Sequence, residues 1–185
     1  MSKSKNVSSA GNQQERLVEF KNWIIGFVDG EGCFSLGFVK QSDKKEENRT
    51  RRGYKTGYQI FHEFAITQGE SSKLVLDKIQ KFFGVGNVYI NTRYDNHNEH
   101  LYRYVVRKRK DLLEVVIPFF KENQLRTTKK QNFEKFANCV ELISKDTHLE
   151  KKGLIRIAKI ADTMNRKKAG KNLARILRDH KPTSI

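Results

Sequence analysis

Four segments of this chain alternate apolar and polar residues, and this alternation limits the possible folds more than any other feature. Residues 33–40 read CFSLGFVK and residues 58–68 read YQIFHEFAITQ. Because successive side chains of a strand point to opposite faces, such alternation predicts strands with one buried and one open face. Residues 87–94 and 101–109 predict two more strands, and the polar DNHNEH between them predicts a hairpin.

Helical patterns begin the chain and separate the two pairs of strands. Asn12 and Glu15 have capping-box spacing ahead of an apolar pattern, which predicts a helix that ends near Gly30 or Gly32. A second helix is expected within residues 70–84, and its inward-facing side chains are expected to be Leu74, Val75, Ile79 and Phe82.

Further helices are expected after the last strand. Residues 110–120 predict a short helix that Pro118 interrupts, because proline lacks a backbone donor. A longer amphipathic helix is expected from about Thr128, and the segment from Lys151 onward is expected to be helical and then very basic. Residues 41–57 are expected to form a charged loop.

The order helix, hairpin, helix, hairpin, helices predicts an α+β domain. Its four strands would form one antiparallel sheet with helices packed on one face. A single core can grow to 185 residues, so one domain is expected. Residues 1–12 would form a mobile tail, residues 13–146 the core domain, and residues 147–185 a basic helical extension of that domain.

The net charge of +16 predicts a polyanionic partner, and nucleic acid is the commonest one. No apolar run approaches the roughly 20 residues of a membrane span, and no signal-peptide core is visible. We therefore expect an intracellular protein, in the cytoplasm of a prokaryote or in an organelle, with no membrane partner and no small-molecule cofactor. Cys33 and Cys139 lie far apart, a spacing that does not indicate zinc or a disulfide framework.

The open face of the predicted sheet is rich in groups that hydrogen-bond to base edges and phosphates. Basic clusters at residues 44–55 and 107–110 lie next to these strands, which favours duplex DNA as the partner over a merely solvated face or an RNA-binding sheet. The predicted DNA-binding residues of the face are Ser35, Gly37, Gln59, Glu63, Asn87, Tyr89, Asn91, Arg93 and Arg103, and those of the loops and tail are Arg51, Arg52, Lys55, Arg166 and Lys167.

Residues 24–32 read IIGFVDGEG and break several helix rules at once. Asp29 and Glu31 lie at a helix C-terminus, where the macrodipole disfavours acids by a few tenths of a kcal/mol each. Gly26 and Gly30 each cost about 1 kcal/mol relative to alanine inside a helix. Glycines with this GxxxG spacing let two helix backbones approach closely, so a crossing with a second helix is predicted.

If a second helix of the same kind crosses there, its carboxylates and these come close together. A divalent cation such as Mg²⁺ between them would offset their repulsion, and two-metal sites of this type promote phosphodiester displacement. The chain holds no second copy of the motif. The second helix is therefore expected from another subunit of a symmetric homodimer.

This motif and the order of elements resemble the LAGLIDADG homing endonuclease family in its single-motif, homodimeric form. IIGFVDGEG aligns with the family's nonamer, with Glu31 in place of the final Asp. The resemblance covers roughly residues 15–145 and implies an αββαββα fold with a four-stranded DNA-binding sheet saddle. Residues 151–185 are similar to the basic C-terminal helices of homing endonucleases from ribosomal RNA introns.

The resemblance implies roles for the residues of the motif. Glu31 would bind the catalytic metal through its side chain, and Gly30 would bind it through its carbonyl oxygen. Asp29 would cap the partner's helix. The implied dimer interface comprises Ile25, Gly26, Asp29 and Gly30.

The resemblance also implies two catalytic residues outside the motif. Gln68, at the strand end ITQ, would order water near the scissile phosphate. The L-x-T-x-K spacing in LRTTKKQNF indicates Lys129 as the basic residue, with Arg126 and Lys130 as alternatives.

The implied reaction is Mg²⁺-dependent double-strand cleavage of a long, near-palindromic DNA site that leaves short 3′ overhangs and promotes intron mobility. Mn²⁺ or Ca²⁺ would substitute for Mg²⁺ in binding. An RNA maturase that assists splicing of a group I intron and a non-enzymatic DNA-binding regulator remain the alternatives.

Overall fold

The structure, a computed structural model, describes residues 9–41, 44–46, 49–51, 53–92, 99–164, 175–176 and 178. Helix α1 (Ser9–Glu31) runs directly into strand β1 (Gly32–Lys40). The helix begins at Ser9 rather than near Asn12, and it ends between the two glycines at which an end was expected. Ile24 and Val28 are its fully buried side chains and fix α1 against the core.

The segment between the first two predicted strands is not wholly a loop. Strands β2 (Lys44–Glu46) and β3 (Arg49–Arg51) pair antiparallel in a separate two-stranded sheet. Their sequences, KKE and RTR, contain no apolar residue, so apolar alternation could not predict them. Strand β4 (Tyr58–Gly69) then returns alongside β1.

A 3-10 turn (Glu70–Ser72) leads into helix α2 (Lys73–Phe83), which the left-handed Gly84 ends at a φ of 66°. Its buried stripe comprises Leu76, Ile79 and Phe83, at i, i+3 and i+7. The expectation that Leu74 faces inward is wrong, because Leu74 lies away from this stripe and is 73% exposed.

Strands β5 (Asn87–Asn91) and β6 (Leu101–Val106) complete a four-stranded sheet in the order β1-β4-β6-β5. Every neighbouring pair is antiparallel, which confirms the predicted sheet. The register places Ser35 opposite Glu63 and Tyr89 opposite Arg103. All four of these residues therefore share one face of the sheet.

After β6 the chain stays helical through Pro118. Helix α3 (Arg109–Asp111), a π-helical segment (Leu112–Val116) and helix α4 (Ile117–Glu122) follow one another directly. The expected interruption is wrong, because Pro118 lies at the first positions of α4, where a missing N–H removes no bond of that helix.

Helix α5 (Lys129–Ser144), a 3-10 turn (Thr147–Leu149) and helix α6 (Lys151–Asp162) form the rest of the helical layer. None of the helices that the structure describes is long and apolar enough to cross a membrane.

Aromatic side chains join the sheet to the helices in one core. The Phe34 ring centroid lies 5.1 Å from that of Phe64 on the next strand, 5.7 Å from that of Phe120 and 5.2 Å from that of Phe133. Helices thus cover the face opposite Ser35 and Glu63, and the α+β architecture is confirmed. The C-terminal end of the described chain returns to this sheet, since the Tyr58 hydroxyl donates to the Arg175 carbonyl.

Candidate functional site

Glu31 and Gln68 meet where α1 runs into β1. Gly32 pairs with Ile66, which brings the end of β4 beside the last turn of α1. The Gln68 amide Nε2 donates to the Glu31 Oε2 at 3.4 Å, and the Glu31 carboxylate is exposed. The structure therefore brings together the predicted metal-binding acid and the predicted water-ordering glutamine.

Lys129 supplies the cation that the last turn of α1 lacks. Its Nζ donates to the carbonyl oxygen of Gly30 at 2.9 Å and to that of Gly32 at 2.6 Å. A cation at a helix C-terminus satisfies unpaired carbonyls and favours the macrodipole. The helix thus receives from α5 the positive charge that its own last turn does not provide.

The two alternatives to Lys129 point elsewhere. The Lys130 Nζ donates to the Gln124 Oε1 at 2.9 Å, and Arg126 contributes its backbone N–H. Of the three candidate basic residues, Lys129 is the one whose side chain bonds to the motif within the described chain.

Asp29 caps a turn of its own chain. Its Oδ2 accepts the backbone N–H of Arg126 at 2.9 Å and that of Thr127 at 3.1 Å, and its Oδ1 accepts the Thr127 hydroxyl at 2.7 Å. Within the described chain these contacts give Asp29 a capping role, and the expectation that it caps the partner's helix stays a prediction. The turn before α5 folds over the end of α1 and takes up both carboxylate oxygens.

The pKa of Asp29 is lowered from its ordinary value of 3.8. Burial by itself would raise this pKa. The hydrogen bonds from Thr127 and Arg126, together with the nearby charge of Lys129, outweigh the burial. Asp29 is therefore held as a carboxylate.

Thr127 links Asp29 to Lys129, a role that was not predicted from the sequence. Its hydroxyl oxygen accepts the backbone N–H of Lys129 at 3.2 Å while its proton goes to Asp29. Hydrogen bonds thus connect Asp29 to Thr127 and Thr127 to Lys129. Lys129 in turn bonds to Gly30, the residue after Asp29. The feature of the sequence that could have indicated this role is the position of Thr127 two residues before Lys129.

The face of α1 that carries Gly26 and Gly30 is open. Within the described chain, a Cβ added at either residue would meet no atom within 4 Å. By contrast, a Cβ at Gly32 would meet the Val28 side chain at 2.6 Å. Packing inside the subunit therefore requires glycine at 32 but not at 26 or 30. On the same helix Trp23 is 42% exposed, and the predicted interface residue Ile25 is half-buried.

The predicted DNA-binding residues within the described strands share the open face of the sheet, and most of them are exposed or half-buried. They are Ser35, Gly37, Gln59, Glu63, Asn87, Tyr89, Asn91 and Arg103. Glu63 differs from the others because it is only 5% exposed. Its Oε1 accepts from Arg103 at 2.7 Å and its Oε2 from Arg107 at 3.0 Å.

The remaining predicted DNA-binding residues lie in loops and at the end of the chain. Arg51 belongs to β3, and Lys55 is exposed in the turn before β4. The others lie outside the described residues; they are Arg52, Arg93, Arg166 and Lys167.

Comparison with known proteins relates this geometry to a family and to solved structures. The LAGLIDADG endonuclease pattern matches residues 24–140. The homing endonuclease I-TnaI, known from a crystal structure, has 35% sequence identity to this chain. The two structures superpose with a TM-score of 0.66 over 85% of this chain and 93% of that chain. The LAGLIDADG meganuclease I-CpaMI, bound to uncleaved DNA, shares the fold at 24% identity with a TM-score of 0.69, over 89% of this chain and 52% of that chain.

Curated relatives are longer than this chain. Probable intron-encoded DNA endonuclease 1 of Mycosarcoma maydis is 35% identical over 109 residues, which are 59% of this chain and 33% of that protein. A 50.9 kDa protein in ND4 intron 1 of Podospora anserina is 31% identical over 148 residues, which are 78% of this chain and 29% of that protein. The chain spans about a third of the length of these relatives.

Proposed function

This chain belongs to the LAGLIDADG endonuclease family, and on that premise we propose that it cuts both strands of a specific DNA site as a homodimer. The observation that carries the proposal is the convergence of Glu31, Gln68 and Lys129 at the end of α1. A carboxylate, an amide and an ammonium group there lie beside an open sheet face in a protein of net charge +16.

The donor set at this point fits a divalent metal ion. The Glu31 carboxylate supplies oxygen atoms, which Mg²⁺ prefers, and it is exposed to a substrate. The Gly30 carbonyl accepts from Lys129 with one lone pair, and its second lone pair could face the metal. Within the described residues no three His, Cys, Asp or Glu side chains come together, so phosphate oxygens and the partner's Glu31 would complete the ligands. Bound Mg²⁺ would activate the attacking water and offset charge on the leaving oxygen.

The residues around the metal position have separate roles. Gln68 orients the Glu31 carboxylate through its amide and can direct a water molecule toward the scissile phosphate. Lys129 keeps a positive charge at the Gly30 carbonyl, where it offsets negative charge that develops on the phosphate. Asp29 and Thr127 position Lys129 rather than touch the DNA.

The open strip on α1 around Gly26 and Gly30 supports the proposed homodimer. Glycine inside a helix costs about 1 kcal/mol relative to alanine, and Gly26 and Gly30 meet no neighbour in the described chain that needs the space. A second copy of α1 crossing at these glycines would use that space and would cover part of Trp23. The crossing would place the two Glu31 residues near each other on the dyad.

The dyad also defines the substrate and the product. Each subunit's sheet would read one half-site, so the full target would be long and near-palindromic. Two active sites related by the dyad would cut the strands at staggered positions and leave short 3′ overhangs. The intron-encoded relatives support a role in intron mobility.

A cleavage assay with Glu31→Gln tests the proposal. The substrate is duplex DNA selected by cleavage from a library, or the uninterrupted host site, incubated with Mg²⁺. We expect Glu31→Gln to abolish cleavage while its affinity for the duplex stays within about threefold, because the sheet supplies binding. Glu122→Gln, an exposed glutamate on α4, makes the same chemical change away from the site and should cut like the wild type.

The outcomes separate the candidate functions. Undiminished cleavage by Glu31→Gln would refute the assigned site. A wild-type protein that binds duplex DNA but never cuts it would instead indicate a regulator. Tight binding to an intron transcript, without cleavage of any duplex, would indicate a maturase.

A further inference from the structure

A buried carboxylate lies in the middle of the open sheet face. Glu63 is opposite Ser35 on the neighbouring strand, and its side chain is only 6% exposed. Both of its oxygens are bonded to arginines, Oε1 to Arg103 Nη2 at 2.7 Å and Oε2 to Arg107 Nε at 3.0 Å. The carboxylate therefore joins β4 to the middle of β6 and to the residue that follows β6.

Strand register shows how far Arg103 reaches to make this bond. Its direct partner on β4 is Thr67, four residues after Glu63, with Ala65 and Val105 paired in between on the same face. Both Ala65 and Val105 are buried although they lie on the open face. The Arg103 side chain therefore extends along the sheet toward Glu63 while staying partly exposed.

Arg107 is held from two directions. Its Nε is bonded to Glu63, and its guanidinium lies over the Phe61 ring at 5.5 Å from the centroid. A guanidinium that stacks on a ring and also donates from Nε has a fixed plane. The Nε bond leaves the two terminal Nη groups at the free end of the side chain.

A carboxylate at this place opposes simple attraction of DNA. Glu63 cancels one of two positive charges on a face that meets a polyanion, and burying a carboxylate carries a desolvation cost. Charge alone would therefore favour an apolar residue at position 63. The arrangement is understandable if the orientation of the two guanidinium groups matters more than their summed charge.

We propose that Arg103 and Arg107 read guanines in the major groove and that Glu63 is the positioning residue that orients them. This inference rests on the proposed function. Arginine recognises guanine by donating two parallel hydrogen bonds to O6 and N7, which needs a defined fork direction. The Arg103 and Arg107 side chains are 31% and 52% exposed, so their outer N–H groups are accessible to a base edge.

Glu63 itself does not contact the bases. It could accept from cytosine only with a free and accessible oxygen, but each oxygen already accepts from an arginine and the side chain is buried. Its effect on specificity passes through the two arginines. In a homodimer each half-site would carry two guanine positions that depend on the one carboxylate.

Selection from a randomised duplex library tests whether Arg103 and Arg107 read guanines and whether Glu63 orients them. Wild type, Arg103→Lys, Arg107→Lys and Glu63→Gln are each used to select bound duplexes in Ca²⁺, and base preferences are obtained by sequencing. Glu141→Gln is the matched control, because Glu141 accepts from Lys121 at 2.7 Å on the helical side of the molecule. Melting temperatures of all variants are recorded.

We expect each lysine variant to lose its guanine preference at one position per half-site, by roughly 5- to 150-fold. Lysine keeps the positive charge but lacks the two parallel N–H donors of a guanidinium. Because the charge is retained, affinity for non-specific duplex should stay within about threefold. Glu63→Gln should lose both preferences together and leave the other positions unchanged. A residue that served only folding would lower the melting temperature without changing the base preferences.

Retention of both guanine preferences by folded Glu63→Gln would overturn the positioning role. If Glu63→Gln does not fold, unchanged preferences in Arg103→Lys and Arg107→Lys would overturn the readout. A wild-type protein that selects no sequence at all would overturn the proposed function as well, which distinguishes that failure from a failure of this inference.

Discussion

At the scale of the residue, acids that are costly at a helix end are compensated by groups distant in sequence. Asp29 lies near the negative end of the α1 dipole, yet the backbone N–H groups of Arg126 and Thr127 bond to it. Lys129 bonds to the terminal carbonyls. The local helix rules are therefore satisfied in three dimensions by the turn before α5, and Glu31 is the acid left exposed.

Replacing Asp29 tests this compensation. Asp29→Ala removes the acceptor of three hydrogen bonds, and bonds to a charged group contribute about 1.5–3 kcal/mol. We expect the free energy of unfolding in urea to fall by about that amount. Asp77→Ala is the control, because it breaks only an exposed i,i+4 pair with Lys73, worth about 0.5 kcal/mol or less. Equal losses in the two variants would contradict a capping role for Asp29.

At the scale of the element, three nitrogen-bearing side chains come together in one region between strand β4 and the helical layer. The Nε of Arg109 on α3 and the Nδ1 of His148 in the 3-10 turn are buried without a hydrogen-bond partner among the described residues. Both ring nitrogens of His62 on β4 are buried beside them. Burial lowers the pKa of both histidines, and the charge of Arg109 lowers it further, while Asp146 acts in the opposite direction on His148. Both imidazoles are therefore neutral at pH 7.

This region predicts a loss of stability on acidification. The folded-state pKa of each histidine lies below its ordinary value of 6.5, so the unfolded chain takes up protons first as the pH falls. Stability should be complete above about pH 6.5 and should decline from there toward pH 5. Thermal melts at both pH values measure this, and the double variant His62→Gln, His148→Gln should show a shallower decline. An unchanged slope in that variant would exclude the two histidines as the cause.

The elements differ in how well the sequence predicts them. Alternation at residues 33–40 and 58–68 is unambiguous because one face of the sheet is buried by helices. The ribbon of β2 and β3 carries no such pattern, since neither strand contains an apolar residue. The prediction that Leu74 faces inward failed because the sequence of α2 allows two apolar faces. The face that packs against the core is the one through Leu76.

The site shows the same limit. That Glu31, Gln68 and Lys129 come together could be expected, because the family resemblance carried by the motif and the L-x-T-x-K spacing implied it. The bonds from Glu63 to Arg103 and Arg107 depend on the register between β4 and β6, which no local pattern specifies. The role of Thr127 depends on how a turn folds over α1. Contacts between distant segments are thus the part that needed the structure.

At the scale of the whole molecule, the open glycine strip predicts opposite effects of one methyl group. Gly26→Ala should stabilise the isolated subunit by about 1 kcal/mol, because alanine favours helix and the added Cβ meets no atom of the described chain. It should weaken the dimer, since overpacking a close contact costs about 1–3 kcal/mol. Sedimentation equilibrium and urea unfolding measure the two effects.

A control separates dimer contact from helix propensity. Asn138→Ala makes a similar gain in propensity at an exposed position of α5 and should leave the association constant unchanged. A Gly26→Ala protein that associates as tightly as the wild type would contradict the crossing at this strip. A wild-type protein that cuts DNA as a monomer would contradict the homodimer itself.

The bonds from Lys129 to Gly30 and Gly32 join positions 99 and 97 residues apart. A nascent chain that has left the ribosome only as far as β6 carries Glu31 and Gln68, but neither the lysine nor the turn that caps Asp29. Closing so long a loop costs entropy that only the packed helical layer can offset. If the proposed function holds, cutting competence would appear only after α5 has been synthesised, late in the growth of the chain.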